Sequence, residues 1–378
     1  MSQFVSPMIA DEAETEHRAY LARRHFSALN GMRCIAILAV VWHHSVDESR
    51  FMLINRGFLG VDLFFVISGF LIVTLLLREQ QTCGDINLRN FYIRRALRIF
   101  PAYYTMLAVL AIAYGLVKPA DPSSTTFFAL LPIYLFYVSN WSLSHASNLG
   151  ITWSLATEEQ FYLLWPPLQK WLRGKAIWVA IAIGLALSQL INFGVFDPFF
   201  IWAYGSEKAP HLAILDTTFT PILLGVALAH LLHKPSSFVR LSPFLGSRYS
   251  AAVLFFLLTI LIAFAPPDIS GLPRLAIHLL IAMLIGALAT RENTVFHPLL
   301  THAVPVFIGA ISYGMYLYHL WALHIVRAIL ARTGLAFPYD LFLTGLLLTV
   351  VMAWISYLFF EQYFLSWKTA FSHQASKS

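Results

Sequence analysis

Apolar runs about as long as a bilayer is thick recur from one end of the chain to the other. They cover residues 28–46, 58–77, 100–117, 126–141, 154–172, 176–196, 210–232, 250–265, 273–290, 304–330 and 341–365. The segments between them are polar or basic. In lipid only a helix or a closed barrel satisfies the backbone, and the long unbroken runs predict an all-α, polytopic membrane bundle. Residues 1–26 read as a polar tail with no secretory signal, 27–368 as one transmembrane domain and 369–378 as a second tail.

Basic residues gather at alternate ends of these runs. Arg18, Arg23 and Arg24 precede the first. Arg78, Arg89, Arg94, Arg95 and Arg98 follow the second, and Lys170, Arg173 and Lys175 follow the fifth. His233, Lys234, Arg240 and Arg248 follow the seventh, and Lys368 and Lys377 the last. The positive-inside rule places all of them, with both termini, on the cytoplasmic side of the inner (plasma) membrane. Three runs then lead outward to Lys118–Pro122, and six lead from Lys175 back inside. Residues 126–172 hold two runs but must cross once in net terms. The expectation is about ten net crossings, with an irregular or re-entrant segment at 148–166, NLGITWSLATEEQFYLLWP. Two adjacent glutamates at membrane depth there call for a buried cavity.

Composition sharpens this picture. Hydrophobic residues make up 58% and charged residues 12% of the chain, against about 25% charged in a soluble domain. The net charge of +6 sits in a few loops and reads as topology, not nucleic-acid binding. Two cysteines are too few for a disulfide framework, so Cys34 and Cys83 are expected as free thiols.

Ionisable residues inside the runs are the candidate chemistry, because such groups are costly in lipid. In GMRCIAILAVVWHHS, Arg33 and His44 are eleven residues apart. That is about 16 Å of helical rise and a turn of only about 20° from the starting direction, so they share a face at different depths. Arg33 reads either as a snorkelling anchor or as a functional cation. His43 points about 100° away and reads as a bystander. Asp62, about one turn inside the next run, is expected to hold one nitrogen of His44 and leave the other as a base; a backbone or tyrosine partner is the alternative. The small residues of SGF (68–70) suit close helix packing.

In NLRNFYIRRALRIFPAYY, Arg95 and Arg98 are i, i+3 neighbours beside Arg94. Every cation from Arg78 to Arg98 is arginine, which favours bidentate phosphate contacts, although a topological anchor would also be basic. In TWSLATEEQFY, Trp153, Ser154, Glu158, Glu159 and Tyr162 are expected to line the cavity; acidic residues opening a helix would look the same. In ISYGMYLYHLW, Ser312, Met315 and His319 form a stripe, with His319 either functional or a satisfied core residue. Glu361 is expected as a structural partner of the basic segment.

These stretches together resemble the membrane acyltransferase-3 family. The resemblance runs through Arg33 with His44, through GFLGVDLFFVISGFLI, through RRALRIFP with its Arg95-x-x-Arg98 pair, and through WSLATEEQFYLLWP and ISYGMYLYHL, in that order. Asn30 stands where the family often has Asp, and Ala156–Thr157 replaces its usual Val or Ser. The resemblance implies transfer of an acyl group, usually acetyl, from cytoplasmic acyl-CoA to a hydroxyl of a glycan, glycolipid or small-molecule acceptor. The family sometimes carries a periplasmic hydrolase-like domain after the membrane part; with the chain ending at Ser378, a stand-alone form without it is expected. In this reading His44, Arg33 and Asp62 are catalytic, and Arg94, Arg95 and Arg98 bind CoA. Trp153, Glu158, Glu159, Tyr162 and His319 bind the acceptor, and no metal takes part. The rival is a membrane transporter using the same polar residues, which would usually show repeated halves with paired broken helices.

Overall fold

A computed structural model of the chain describes residues 7–23, 25–46, 52–117, 119, 121–142, 144–146, 148–205, 219–267, 269–335, 337 and 339–371. Arg24, Lys118, residues 210–218 of the seventh run, and the far ends of both tails, Lys377 included, lie outside the described residues. Every described element is helical. The principal ones are α1 (Pro7–Ala22), α2 (Ser27–Ser45), α3 (Leu59–Cys83), α4 (Leu88–Ile112), α5 (Pro122–Leu135), α6 (Thr152–Trp171), α7 (Lys175–Asn192), α8 (Phe219–His233), α9 (Pro235–Leu245), α10 (Ser250–Phe264), α11 (Gly271–Thr290), α12 (Ala303–Ala310), α13 (Ser312–Thr333) and α14 (Asp340–Ser356). A π-helical segment, Tyr357–Glu361, carries α14 on towards a closing 3₁₀ turn, Lys368–Phe371.

The apolar runs are thus helices close to where they were expected. By length and apolar character five helices can cross a membrane, or eight if each of three bent pairs is one span. The expected ten is not reached by that measure. Two helices that would be needed fall short of it: α6 carries Glu158, Glu159 and Lys170, and α10 is only 15 residues long.

α3 is the hub. It is buried along most of its length and packs against α8, α2, α6 and α11. Its tightest contact is with α8, where a Cβ built on Gly69 would run into the Ile222 carbonyl and one on Gly225 into the Val66 carbonyl. Small residues let two backbones touch where lipid gives helices no hydrophobic reason to associate. The rim is the opposite: Leu347, Val351 and Trp354 of α14 and Trp178 and Ile183 of α7 stand exposed. Apolar surface on this scale is expected to face lipid.

The segment 148–166 is not irregular throughout: only its start, up to Ile151, is non-helical. α6 is an unbroken helix from Thr152 to Trp171. α5 instead runs back alongside α4 and stops partway, where the hydroxyls of Tyr103 and Tyr104 donate to the carbonyls of Tyr134 and Leu135, both at 2.9 Å. The irregular return is satisfied by Gln160, whose amide nitrogen donates to the Tyr137 carbonyl at 2.9 Å and to Asn140 Oδ1 at 2.8 Å. Those bonds give partners to the carbonyls of Tyr134, Leu135 and Tyr137 where α5 ends.

The basic segment is also helical: Leu88–Ile112 continues through Pro101 without a break, capped by Asn87 Oδ1 accepting from Asn90 N at 3.0 Å. Both described chain ends lie at this basic end of the bundle. Arg78 donates to the carbonyls of Tyr20 (3.0 Å) and Arg23 (2.6 Å), closing α1. Arg94 donates to the Phe371 carbonyl at 2.7 Å.

Candidate active site

Two cavities follow one another along the bundle and share a wall made by Val61 and Tyr316. The one nearer the basic end is narrow, about 90 Å³. Into it project Arg33 from α2, Ser68 from α3, Arg95 and Arg98 from α4, Glu158, Glu159 and Tyr162 from α6, and Tyr313 from α13. The second is wide, about 650 Å³, and is lined by His43 and His44 of α2, Asp62 of α3, His145 and Trp153 around the start of α6, and Arg274 of α11.

In the narrow cavity the guanidinium of Arg95 lies on the ring of Tyr162, 3.9 Å from its centroid. A planar cation stacks on an aromatic face in a way an ammonium does not. The Tyr162 hydroxyl donates to Ser68 Oγ at 3.1 Å, and Ser68 donates to Glu158 Oε1 at 2.6 Å. Ser68 therefore does more than pack: it links the aromatic that supports Arg95 to a carboxylate. Arg33 Nη1 has Asn30 Oδ1 at 3.5 Å, and Arg33 lines the cavity with Arg95 and Arg98.

Arg94, one residue from Arg95, is outside this group. It pairs with Glu79 at 3.3 Å and with the Phe371 carbonyl, because a one-residue step turns a helix by about 100°. The i, i+3 pair shares the cavity face and Arg94 does not.

The wall is held firmly. Tyr316 donates to the Ile151 carbonyl at 3.1 Å and sits 2.6 Å from Ser154 Oγ. Beyond it, His44 Nδ1 donates to the Val40 carbonyl at 2.9 Å. A carbonyl only accepts, so Nδ1 carries the proton and Nε2 is the lone-pair nitrogen of the neutral ring. His319, fully buried, donates Nδ1 to the Tyr316 carbonyl at 2.7 Å, and its Nε2 has no hydrogen-bond partner. The two rings meet edge to face at 5.0 Å.

The expected pairing of Asp62 with His44 does not form. Asp62 Oδ2 lies 3.5 Å from Arg274 Nη2 and 3.4 Å from His278 Nε2, both on α11. A buried carboxylate is drawn to the guanidinium in reach, which carries a full positive charge where the ring of His44 is neutral. The carbonyl of Val40 does for His44 what Asp62 was expected to do. Placement on α6 also differs. Trp153 lines the wide cavity, but Glu158, Glu159 and Tyr162, about 7.5–13.5 Å further along the helix, line the narrow one with the arginines. Glu361 takes a hydrogen bond from Ser356 at 3.0 Å, and among the described residues no ion pair joins it to the basic helix.

Sequence reasoning missed Arg274, His278 and His145. The first two are an i, i+4 pair inside an apolar run, PRLAIHLL, the same signal that singled out Arg33 and His44. His43 also reaches the wide cavity, with Nδ1 donating to the Asn55 carbonyl at 3.1 Å.

The pairing of an arginine cavity with a histidine cavity can be set against known proteins. The acyltransferase domain family matches residues 26–361. A Staphylococcus aureus protein (strain MRSA252) is 30% identical over 387 residues, covering 94% of this chain and 61% of its own length. The peptidoglycan O-acetyltransferase OatA of Listeria monocytogenes is 30% identical over 325 residues, covering 79% of this chain and 49% of its own. The O-acetyltransferase OatA of Staphylococcus aureus (strain NCTC 8325) is 27% identical over 379 residues, with coverage of 89% and 57%. The chain thus spans about half to three fifths of the length of these relatives. No solved structure matches it. With the match running from ahead of Arg33 to Glu361, the chain belongs to the acyltransferase family whose domain spans residues 26–361.

Proposed function

We propose that the protein is a membrane O-acyltransferase that moves an acyl group, acetyl in the simplest case, from acyl-CoA at the basic end to a hydroxyl of a cell-envelope glycan or glycolipid. The observation that carries this reading is the shared wall between a narrow arginine-lined cavity and a wide histidine-lined one. A CoA thioester is a polyanion with a thin arm. Arginines at the cytoplasmic end suit its phosphates, and a narrow passage suits the pantetheine arm. The wide cavity has room for a sugar, with Trp153 as an apolar face. The O-acetyltransferase names of the relatives favour acetyl, and the Listeria relative favours a peptidoglycan-like acceptor. The positive-inside rule puts the basic end, and with it both described chain ends, in the cytoplasm.

In the proposed reaction His44 Nε2 removes the proton from the acceptor hydroxyl as its oxygen attacks the thioester carbonyl. Arg33, in the narrow cavity about 16 Å of helical rise from His44, guides the arm of the donor towards the shared wall. The carbon–sulfur bond then breaks, the acyl group stays on the acceptor oxygen, and the CoA thiolate recovers the proton from the His44 imidazolium. No enzyme nucleophile is required. Arg95 and Arg98 hold the donor, with Tyr162 as the platform for Arg95. Asp62 keeps Arg274 in place on the wall of the acceptor cavity, with His278 buried behind it. The transport reading has no support from the family match or from the described helices.

The test is transfer of radiolabelled acetyl from acetyl-CoA to membrane glycan by the purified protein in nanodiscs. Arg95→Ala and Arg98→Ala are expected to raise the donor KM with the protein correctly inserted. Unchanged donor KM in both variants would remove the donor-binding claim.

A further inference from the structure

The closing turn, Lys368–Phe371, is pinned against α4, because Arg94 holds the Phe371 carbonyl at 2.7 Å while pairing with Glu79. This brings Lys368 into electrostatic range of Arg98, Arg95 and Arg94, in that order of influence. Among the described residues no carboxylate lies within ion-pair distance of Lys368, and Arg95 Nε is buried without a partner. Like charges gathered in a half-buried place repel one another. Burial first, and then those arginines, push the Lys368 ammonium down to about 8. A fold that clamps a lysine there has assembled a site for a multiply charged anion and spends an arginine, Arg94, on holding it.

We propose that Lys368 binds the 3′-phosphate of CoA, completing a donor site in which Arg95 and Arg98 take the diphosphate. Lys368 does not line the narrow cavity, whereas Arg95 and Arg98 do. It therefore stands further from the thioester along the donor, where the ribose phosphate of CoA lies. Arg94 is a positioning residue: it touches the turn and Glu79, not the ligand. This rests on acyl-CoA being the donor.

The experiment is calorimetric titration of the purified full chain in nanodiscs with CoA and with 3′-dephospho-CoA. Wild type is expected to prefer CoA. Lys368→Gln should lose roughly tenfold in CoA affinity, one charge-assisted contact, with dephospho-CoA affinity unchanged. Lys368→Arg should keep the preference and shows that the turn still folds. Arg95→Gln should weaken both ligands together. If Lys368→Gln keeps the wild-type ratio of the two affinities, the assignment is overturned while the donor reading stands. If wild type binds neither ligand, the donor reading falls and this assignment falls with it.

Discussion

His44 and His319 meet edge to face at 5.0 Å, and each has its Nδ1 proton committed to a carbonyl of its own helix, Val40 for one and Tyr316 for the other. Each neutral ring therefore has its lone pair on Nε2. Only His44 lines the wide cavity, with His319 fully buried behind it. In this account His44 does the proton transfer and His319 sets where its ring stands. His319→Gln should lower kcat about tenfold through a misplaced base, with donor KM unchanged. A rise in donor KM in place of the fall in kcat would count against that division of roles.

Arg95 on Tyr162 is a stacked pair, and stacking distinguishes arginine from lysine. Arg95→Lys should behave nearly as badly as Arg95→Ala in donor KM. Tyr162→Phe keeps the ring and should cost little, while Tyr162→Leu should raise donor KM several-fold. Equal donor KM for the phenylalanine and leucine variants would show that the ring is not the support.

Asp62 is buried against Arg274 and His278. Removing one member of such a group leaves a charge uncompensated, at a cost of about 3–5 kcal/mol. Asp62→Asn should lower the thermal midpoint sharply, and adding Arg274→Met should restore much of it. The double variant should also retain transfer at saturating acceptor, since the Val40 carbonyl, not Asp62, orients His44. A stable double variant with no transfer would return Asp62 to the role first expected of it.

The long runs became helices because lipid leaves the backbone no other choice. The i, i+3 logic separated Arg95 and Arg98 from nothing in particular until Arg94 was seen turned away to Glu79 and Phe371. Hydropathy did not show where α5 ends; its last carbonyls are bonded by a pair of tyrosines on α4, some 30 residues earlier. The partner of Asp62 is more than 200 residues away, on α11. Depth along a helix could be inferred from rise per residue, but which neighbour stands at that depth is decided by packing.

The crossing of α3 and α8 leaves no room for a Cβ at Gly69 or Gly225. Gly69→Ala should separate the two backbones and lower stability by about 1–3 kcal/mol, read as a loss of midpoint in a thermal melt in detergent. A midpoint equal to wild type would mean that this contact opens freely.

Donor affinity should also depend on pH. Lys368 is charged below about 8, with Arg94, Arg95 and Arg98 of α4 acting on it and Glu361 ending the π-helical segment ahead of it in the chain. An anion binds the charged form, so CoA affinity should be highest below pH 8 and fall as pH rises through it. Lys368→Arg puts a guanidinium in place of the titrating ammonium and should flatten the fall. A profile that is equally steep in that variant would place the titrating group elsewhere.

The central claim is that His44 carries the proton in an acyl transfer fed by CoA. The direct measurement is His44→Ala in nanodiscs, with CoA binding followed by calorimetry and acetyl transfer to glycan followed by label. The account predicts CoA affinity within about twofold of wild type and transfer reduced by about 100-fold or more. Transfer at the wild-type rate in a variant that still binds CoA would contradict it.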